Sequence, residues 1–148
     1  MLYFEADRAV GVAETNVVVA MTMEFLPLSE PPPVPAGAAA AVTAVWEGSA
    51  TNYWVLAKGS GGANDWRRLP GSQAKVDVPV EVEIEFARDG DATRVQYRMD
   101  GAESAWLEVA GGASVHGASA NGRMHSLAAR YENLVPSRAF VIKMAATD

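Results

Sequence analysis

The chain contains no cysteine, so neither a disulfide framework nor a thiolate metal site is available to it. Its 148 residues must therefore cohere through an apolar core alone. A chain of this size buries roughly 70% of the surface its unfolded form exposes, which suffices for one domain without staples. Histidine is almost absent, with only His116 and His125. A metal site needs three or four convergent ligands, and neither histidine has a helical i, i+4 partner. His116 is expected as a loop polar group and His125 as a partly covered strand residue.

Basic residues are few and scattered, twelve Lys and Arg against eighteen Asp and Glu, for a net charge of −6. A protein that grips a nucleic-acid backbone clusters its cations, so no nucleic-acid partner is expected. No apolar run approaches the roughly 18 to 20 residues of a membrane span, and membrane insertion is not expected. The first residues lack a basic region followed by an apolar core and cleavage site, so an exported form is expected to have shed its signal already. No Gly-x-Ser-x-Gly elbow occurs, which withholds support from that class of hydrolase.

What the sequence does have is alternation. Val78, Val80, Val82, Ile84 and Phe86 interleave with Pro79, Glu81, Glu83 and Glu85, giving one apolar and one acidic face of a pleated strand. After the turn Arg88, Asp89, Gly90, Asp91, the pattern resumes with Val95, Tyr97 and Met99 against Arg94, Gln96 and Arg98. That is an antiparallel hairpin, closed by a second Asp-Gly turn at Asp100 and Gly101. Arginines on the return strand can answer the glutamates opposite.

Similar strands are predicted over residues 2–10 and 16–28, the second covered on both sides because both of its faces begin apolar. Ala38 to Glu47 sets four alanines, which favour helix, against Val42, Thr43, Val45 and Trp46, which favour strand. The prediction is strand, hairpinned through Gly48, Ser49 and Ala50 to TNYWVLAKG. Lys58 to Asn64 reads as a hairpin loop leading into DWRRLPG. It matches a phosphate loop in composition only, lacking the Lys-Ser or Lys-Thr ending and the helix. AWLEVAG, GRMHSLAARYEN and RAFVIKMAA complete the set, and Gly111 to Gly122 is expected as a loop crossing the end of the sheet. Residues 27–37 hold five of the eight prolines. Proline fixes its own φ and offers no N–H, so this segment is a stiff polyproline-like connection crossing an edge of the fold. Recognition by an SH3-like partner is the lesser alternative. A boundary there would leave too little chain before it for a domain, so residues 1–148 are taken as one. About ten short strands without a convincing helix predict an all-β antiparallel sandwich.

The strand ending Tyr97-x-x-Asp100-Gly101, after an acidic turn and before a tryptophan, resembles the core hairpin of concanavalin A-like jelly rolls, especially laminin G-like bacterial surface domains. The likeness extends over most of the chain through short motifs. It implies a non-catalytic binding or adhesion module of an extracellular or cell-surface protein, with glycan or a surface protein as partner and calcium as a frequent companion.

No ligand signature of that family carries over residue by residue. Calcium needs six to eight converging oxygens, and Asn64, Asp65, Asp89 and Asp91 lie in predicted turns that could supply some, although turn Asp and Asn mostly bond locally. Trp54 and Trp66 flank the glycine-rich loop and form the candidate sugar platform, since an indole ring can stack on a pyranose. Packing in the core or seam is the competing role for them and for Trp46 and Trp106. Glu81, Glu83 and Glu85 resemble the Glu-x-Asp-x-Glu strand of laminarinase-like glycoside hydrolases, with Glu in place of the middle Asp. A retaining glycosidase needs carboxyls about 5 to 5.5 Å apart, whereas residues four apart on a strand start roughly 13 Å apart at the backbone. Catalysis is therefore a remote alternative. A structural domain of a larger envelope, appendage or phage assembly is the nearer one.

Overall fold

The computed structural model describes residues 2–9, 16–34, 38–69, 73–89, 92–110, 114–117, 123–132 and 139–146. They form twelve strands: β1 Leu2–Ala9, β2 Asn16–Glu24, β3 Ala38–Glu47, β4 Ala50–Lys58, β5 Asn64–Arg68, β6 Pro79–Asp89, β7 Ala92–Met99, β8 Ala102–Glu103, β9 Leu107–Val109, β10 Ser114–Gly117, β11 Arg123–Glu132 and β12 Ala139–Ala146. No helix occurs among the described residues, and hence none long and apolar enough to cross a membrane. One sheet, here sheet A, runs β12-β1-β10-β3-β4-β5; sheet B runs β11-β2-β6-β7-β8, with β9 also on β7. The protein is an all-β sandwich.

The alternation read from the sequence decides which faces meet. Val80, Val82, Ile84 and Phe86 of β6, with Val95, Tyr97 and Met99 of β7 and Val19, Met21 and Met23 of β2, bury one face of sheet B. Ala40, Val42 and Ala44 of β3 and Tyr53 and Val55 of β4 supply the opposing face from sheet A. Phe25 and Tyr53 pack edge to face with ring centroids 5.5 Å apart. The Tyr97 hydroxyl crosses from sheet B to donate to the Leu56 carbonyl at 2.6 Å. Burial of that phenol pushes its pKa well above the ordinary 10.0, keeping it a donor.

Turn chemistry sets the registers. Met99 pairs with Ala102 around Asp100 and Gly101, both at positive φ (51° and 78°), as a type I′ turn demands. Glu47 pairs with Ala50 around Gly48 and Ser49, and only Gly48 has positive φ (67°), which matches type II′. The glycine-rich stretch after β4 is a hairpin loop between Lys58 and Asn64, closed by Gly59 N–H donating to the Ala63 carbonyl at 2.8 Å.

Two strands exceed those expected. β8 is too short to carry a pattern. β10 lies inside the stretch expected as a loop, and instead of crossing the end of a sheet it fills the gap between β1 and β3, parallel to β3. Four residues flanked by Gly and Ala show too little alternation to announce a strand; neighbouring strands supply its hydrogen bonds. His116 is accordingly a strand residue. His125 occupies a bulge, since Met124 pairs with Met23 and Ser126 with Thr22, and it is exposed rather than partly covered.

The proline-rich connection does more than cross an edge. Leu28 forms a parallel bridge to Val45, donating to the Ala44 carbonyl at 3.0 Å and accepting from the Trp46 N–H at 2.7 Å. Farther along, the Pro32 carbonyl accepts the Trp66 indole N–H at 2.7 Å. Between those anchors the segment passes over the outward face of β3 and β4. Ala38, Ala41, Thr43, Val45 and Leu56 are buried there, so β3 is covered on both faces. Covering on both sides lets an alanine-rich segment be a strand despite its helix propensity, and the small side chains let a backbone lie close.

Candidate functional site

The outward face of sheet B carries the charged ladder. Register sets Glu83 opposite Arg98 and Glu85 opposite Gln96. Arg98 reaches both carboxylates: Nη2 lies 3.1 Å and Nε 3.3 Å from Glu83 Oε2, and Nη1 lies 3.0 Å from Glu85 Oε1 and from Gln96 Oε1. Burial alone lowers the guanidinium's pKa, but the bonds to Glu83 and Glu85 outweigh it, so the net shift is upward and the group stays charged.

Beside this cluster, where β6 begins and β7 turns into β8, lies an open cleft of about 560 Å³. Small-molecule clefts span about 300 to 1,000 Å³. Its walls carry Lys75, Glu81, Glu83, Arg98, Asp100 and Glu103, and its floor includes Val80, Met99 and Gly101. Lys75 Nζ and Asp100 Oδ1 pair at 2.8 Å across one end. The tight Asp-Gly turn positions this wall, because two consecutive residues at positive φ fold the chain back within one step. Trp106, 41% exposed, stands on the connection from β8 to β9 along the same edge of sheet B.

Such an arrangement offers donors from Arg98 and Lys75 beside acceptors from Glu81, Glu103 and Asp100. A hydroxyl can donate to a carboxylate and accept from a cation at once, so neighbouring groups of both kinds suit a polyhydroxylated ligand. The three glutamates of the glycosidase alternative share this face, but Glu83 and Glu85 hold one guanidinium jointly.

Trp54 and Trp66 are brought onto one face, the outward face of sheet A. Register sets Trp54 opposite Arg68 and Leu56 opposite Trp66. Trp66 packs with Ala38, Ala41 and Leu56 beneath the proline-rich segment. The Arg68 guanidinium lies 5.5 Å from the Trp54 ring centroid and forms an ion pair with Glu47. That contact and a hydrogen bond from Asn52 hold the Glu47 carboxyl below its usual range, outweighing the opposing effect of burial. Trp54 Nε1 also helps lower it, though it falls short of hydrogen-bond geometry; it and Thr43 Oγ1 are buried without a hydrogen-bond partner among the described residues. Thr43 and Trp54 are direct cross-strand neighbours. The more open indoles are Trp46, 50% exposed, and Trp106.

Of the four residues expected for calcium, Asn64 and Asp65 have described side chains, and both lie in strand β5 rather than in a turn. Asn64 ties β5 to β3 and to the residue after β9, donating to the Ala38 and Ala110 carbonyls and accepting from Ala110 N–H at 2.8 Å. Asp65 accepts from the Trp66 backbone N–H at 2.8 Å, a bond local to its own strand. The Asp89 side chain and the whole of Asp91 lie outside the described residues. No group of three or more His, Asp or Glu converges among those described. His125 Nε2 lies 2.7 Å from Glu24 Oε2 across its bulge.

The expected answer of the return-strand arginines to the glutamates is met by Arg98, whereas Lys75 and Glu103 were not expected as cleft walls. The Glu/Arg alternation on facing strands was the available signal for Arg98. None existed for Lys75, which enters from a loop. No family model, no curated protein and no solved structure matches the chain.

Proposed function

We propose that the chain is a non-catalytic recognition module that takes a polyhydroxylated ligand, a glycan first among them, in the cleft on sheet B. The cleft carries the reading: ligand-sized, polar, with cations and carboxylates interleaved and an exposed tryptophan on the adjoining edge. Its non-catalytic character rests on Arg98, which ties Glu83 and Glu85 together, whereas a retaining hydrolase separates a nucleophile from a proton donor. The resemblance to laminin G-like domains supplies the setting, a module of an extracellular or cell-surface protein.

A glycan array probed with the purified domain tests this. Saturable binding is expected, reduced about tenfold or more by Arg98→Met and by Glu81→Gln. A blank array, or binding indifferent to both substitutions, overturns the proposal.

The reading as a packing domain of a larger assembly draws on a different observation. Trp46, Val76 and Val78 are exposed, and backbone bonds attach their neighbourhoods to the same segment, Trp46 N–H to Leu28 and Asp77 N–H to Phe25. Exposed apolar groups at one end of a sandwich suit a protein neighbour. Self-association that persists at low micromolar concentration and is lost in Trp46→Ser would favour it.

A further inference from the structure

The outward face of sheet A has a second use, independent of the cleft. We infer that it is a polyproline-recognition groove, occupied in cis by the chain's own proline-rich segment and able to accept a proline-rich segment of another protein instead.

Covalent geometry fixes the occupant's shape. Pro31, Pro32 and Pro33 hold their own φ near −65°, and each restricts the residue before it to extended or polyproline II backbone. The segment leaves β3 at the level of Val45 and must return to Ala38, where β3 begins. Ten residues of polyproline II span about 31 Å, ample for the roughly 23 Å that seven strand residues occupy.

The chemistry of the face matches such a segment. Proline-rich backbone has almost no N–H to offer, while its carbonyls accept strongly, so a groove that reads it must provide donors among flat apolar surfaces. Trp66 does both: its ring packs on Leu56, Ala38 and Ala41, and its N–H bonds the Pro32 carbonyl at 2.7 Å. Trp54 is diagonal to Trp66 on the same face, and its N–H is the buried donor left without a hydrogen bond. Diagonal neighbours of this kind stand about 8 Å apart, close to the three-residue repeat of polyproline II at about 9 Å. The cis segment engages the Trp66 indole through the Pro32 carbonyl, while Trp54 borders the groove beside Glu47 and Arg68.

The test uses a fluorescein-labelled peptide copying residues 28–36, LSEPPPVPA, against the whole chain and against Pro31→Gly/Pro33→Gly, whose segment has lost its stiffness. A tethered segment competes at an effective concentration in the millimolar range. The loosened variant is therefore expected to bind the peptide at least tenfold more tightly than the unaltered chain. Adding Trp66→Phe, which keeps a ring and removes the donor, is expected to lose at least fivefold. A peptide with alanine for each proline should not bind. Equal affinity of a folded loosened variant and the unaltered chain overturns the inference, as does indifference to Trp66→Phe. Should the loosened variant not fold, the unaltered chain titrated with peptide to about 5 mM is read through its indole N–H resonances. Shifts at Trp54 and Trp66, with Trp46 and Trp106 unmoved, uphold the groove; stationary Trp54 and Trp66 overturn it.

Discussion

Each sheet of this sandwich has an outward face, and the two solve the same problem in opposite ways. Sheet B meets solvent through charge, with Glu81, Glu83 and Glu85 along β6 and Arg98 bonded to the latter two. Sheet A is apolar on its outward side at Ala38, Ala41, Val45 and Leu56, and it borrows a proline-rich segment as cover. The charged face can stay open and present a cleft. The apolar face requires an occupant, and a proline-rich one satisfies it without bringing N–H groups that would need partners. The difference teaches that an outward sheet face becomes informative about ligands when its chemistry differs from plain solvation.

The comparison breaks most readily at Leu56. If the segment truly seals sheet A, Leu56→Ala removes buried core and costs about 2 to 5 kcal/mol in chemical denaturation. Glu81→Ala, on the open face, should stay within about 0.5 kcal/mol. Comparable losses at the two positions would erase the distinction. Trp66→Phe sharpens it further, since the lost bond to the Pro32 carbonyl is worth about 1 kcal/mol. Arg98→Met tests the open face in the same way. Glu83 and Glu85 then lose their bonds to Arg98, at a cost of up to about 1 kcal/mol that shrinks with added salt. The Trp66 effect should be insensitive to salt.

The smallest effect is expected from pH. Glu47 has its pKa lowered on folding by Arg68 and Asn52, so the folded state holds its proton less tightly than the unfolded one. Its contribution is fully present above the ordinary value of 4.5 and fades as pH falls through the lowered folded value. Glu47→Gln should flatten that acid limb slightly and leave neutral stability nearly unchanged. An unaltered acid limb would show the Arg68 contact to be screened away.

Much of sheet B was legible in the sequence because its faces differ residue by residue. The VPVEVEIEF alternation declares β6, the Asp-Gly pair declares the turn at Asp100 and Gly101, and the inward row Val95, Tyr97, Met99 follows. Sheet A was harder, because β3 is apolar on both faces and alternation vanishes when both sides are covered. Its strand character came from Val42, Thr43 and Val45, but the identity of the cover did not. Nothing local tells that Pro32 will meet Trp66, 34 positions away. Trp54 and Trp66 were legible as a pair flanking the loop. Their use against a proline segment was not, because that depends on where the chain returns. β10 escaped notice because a four-residue strand between two others owes its existence to tertiary hydrogen bonding.

Indole hydrogen exchange followed by NMR addresses the contrast between the faces most directly, since the four tryptophans sample the covered side and the exposed rim in one spectrum. The account predicts slow exchange for the Nε1–H of Trp66, bonded to Pro32, and of Trp54, whose Nε1 is buried, beside fast exchange for Trp46 and Trp106. Four indoles exchanging at similar, unprotected rates would contradict the closed face of sheet A.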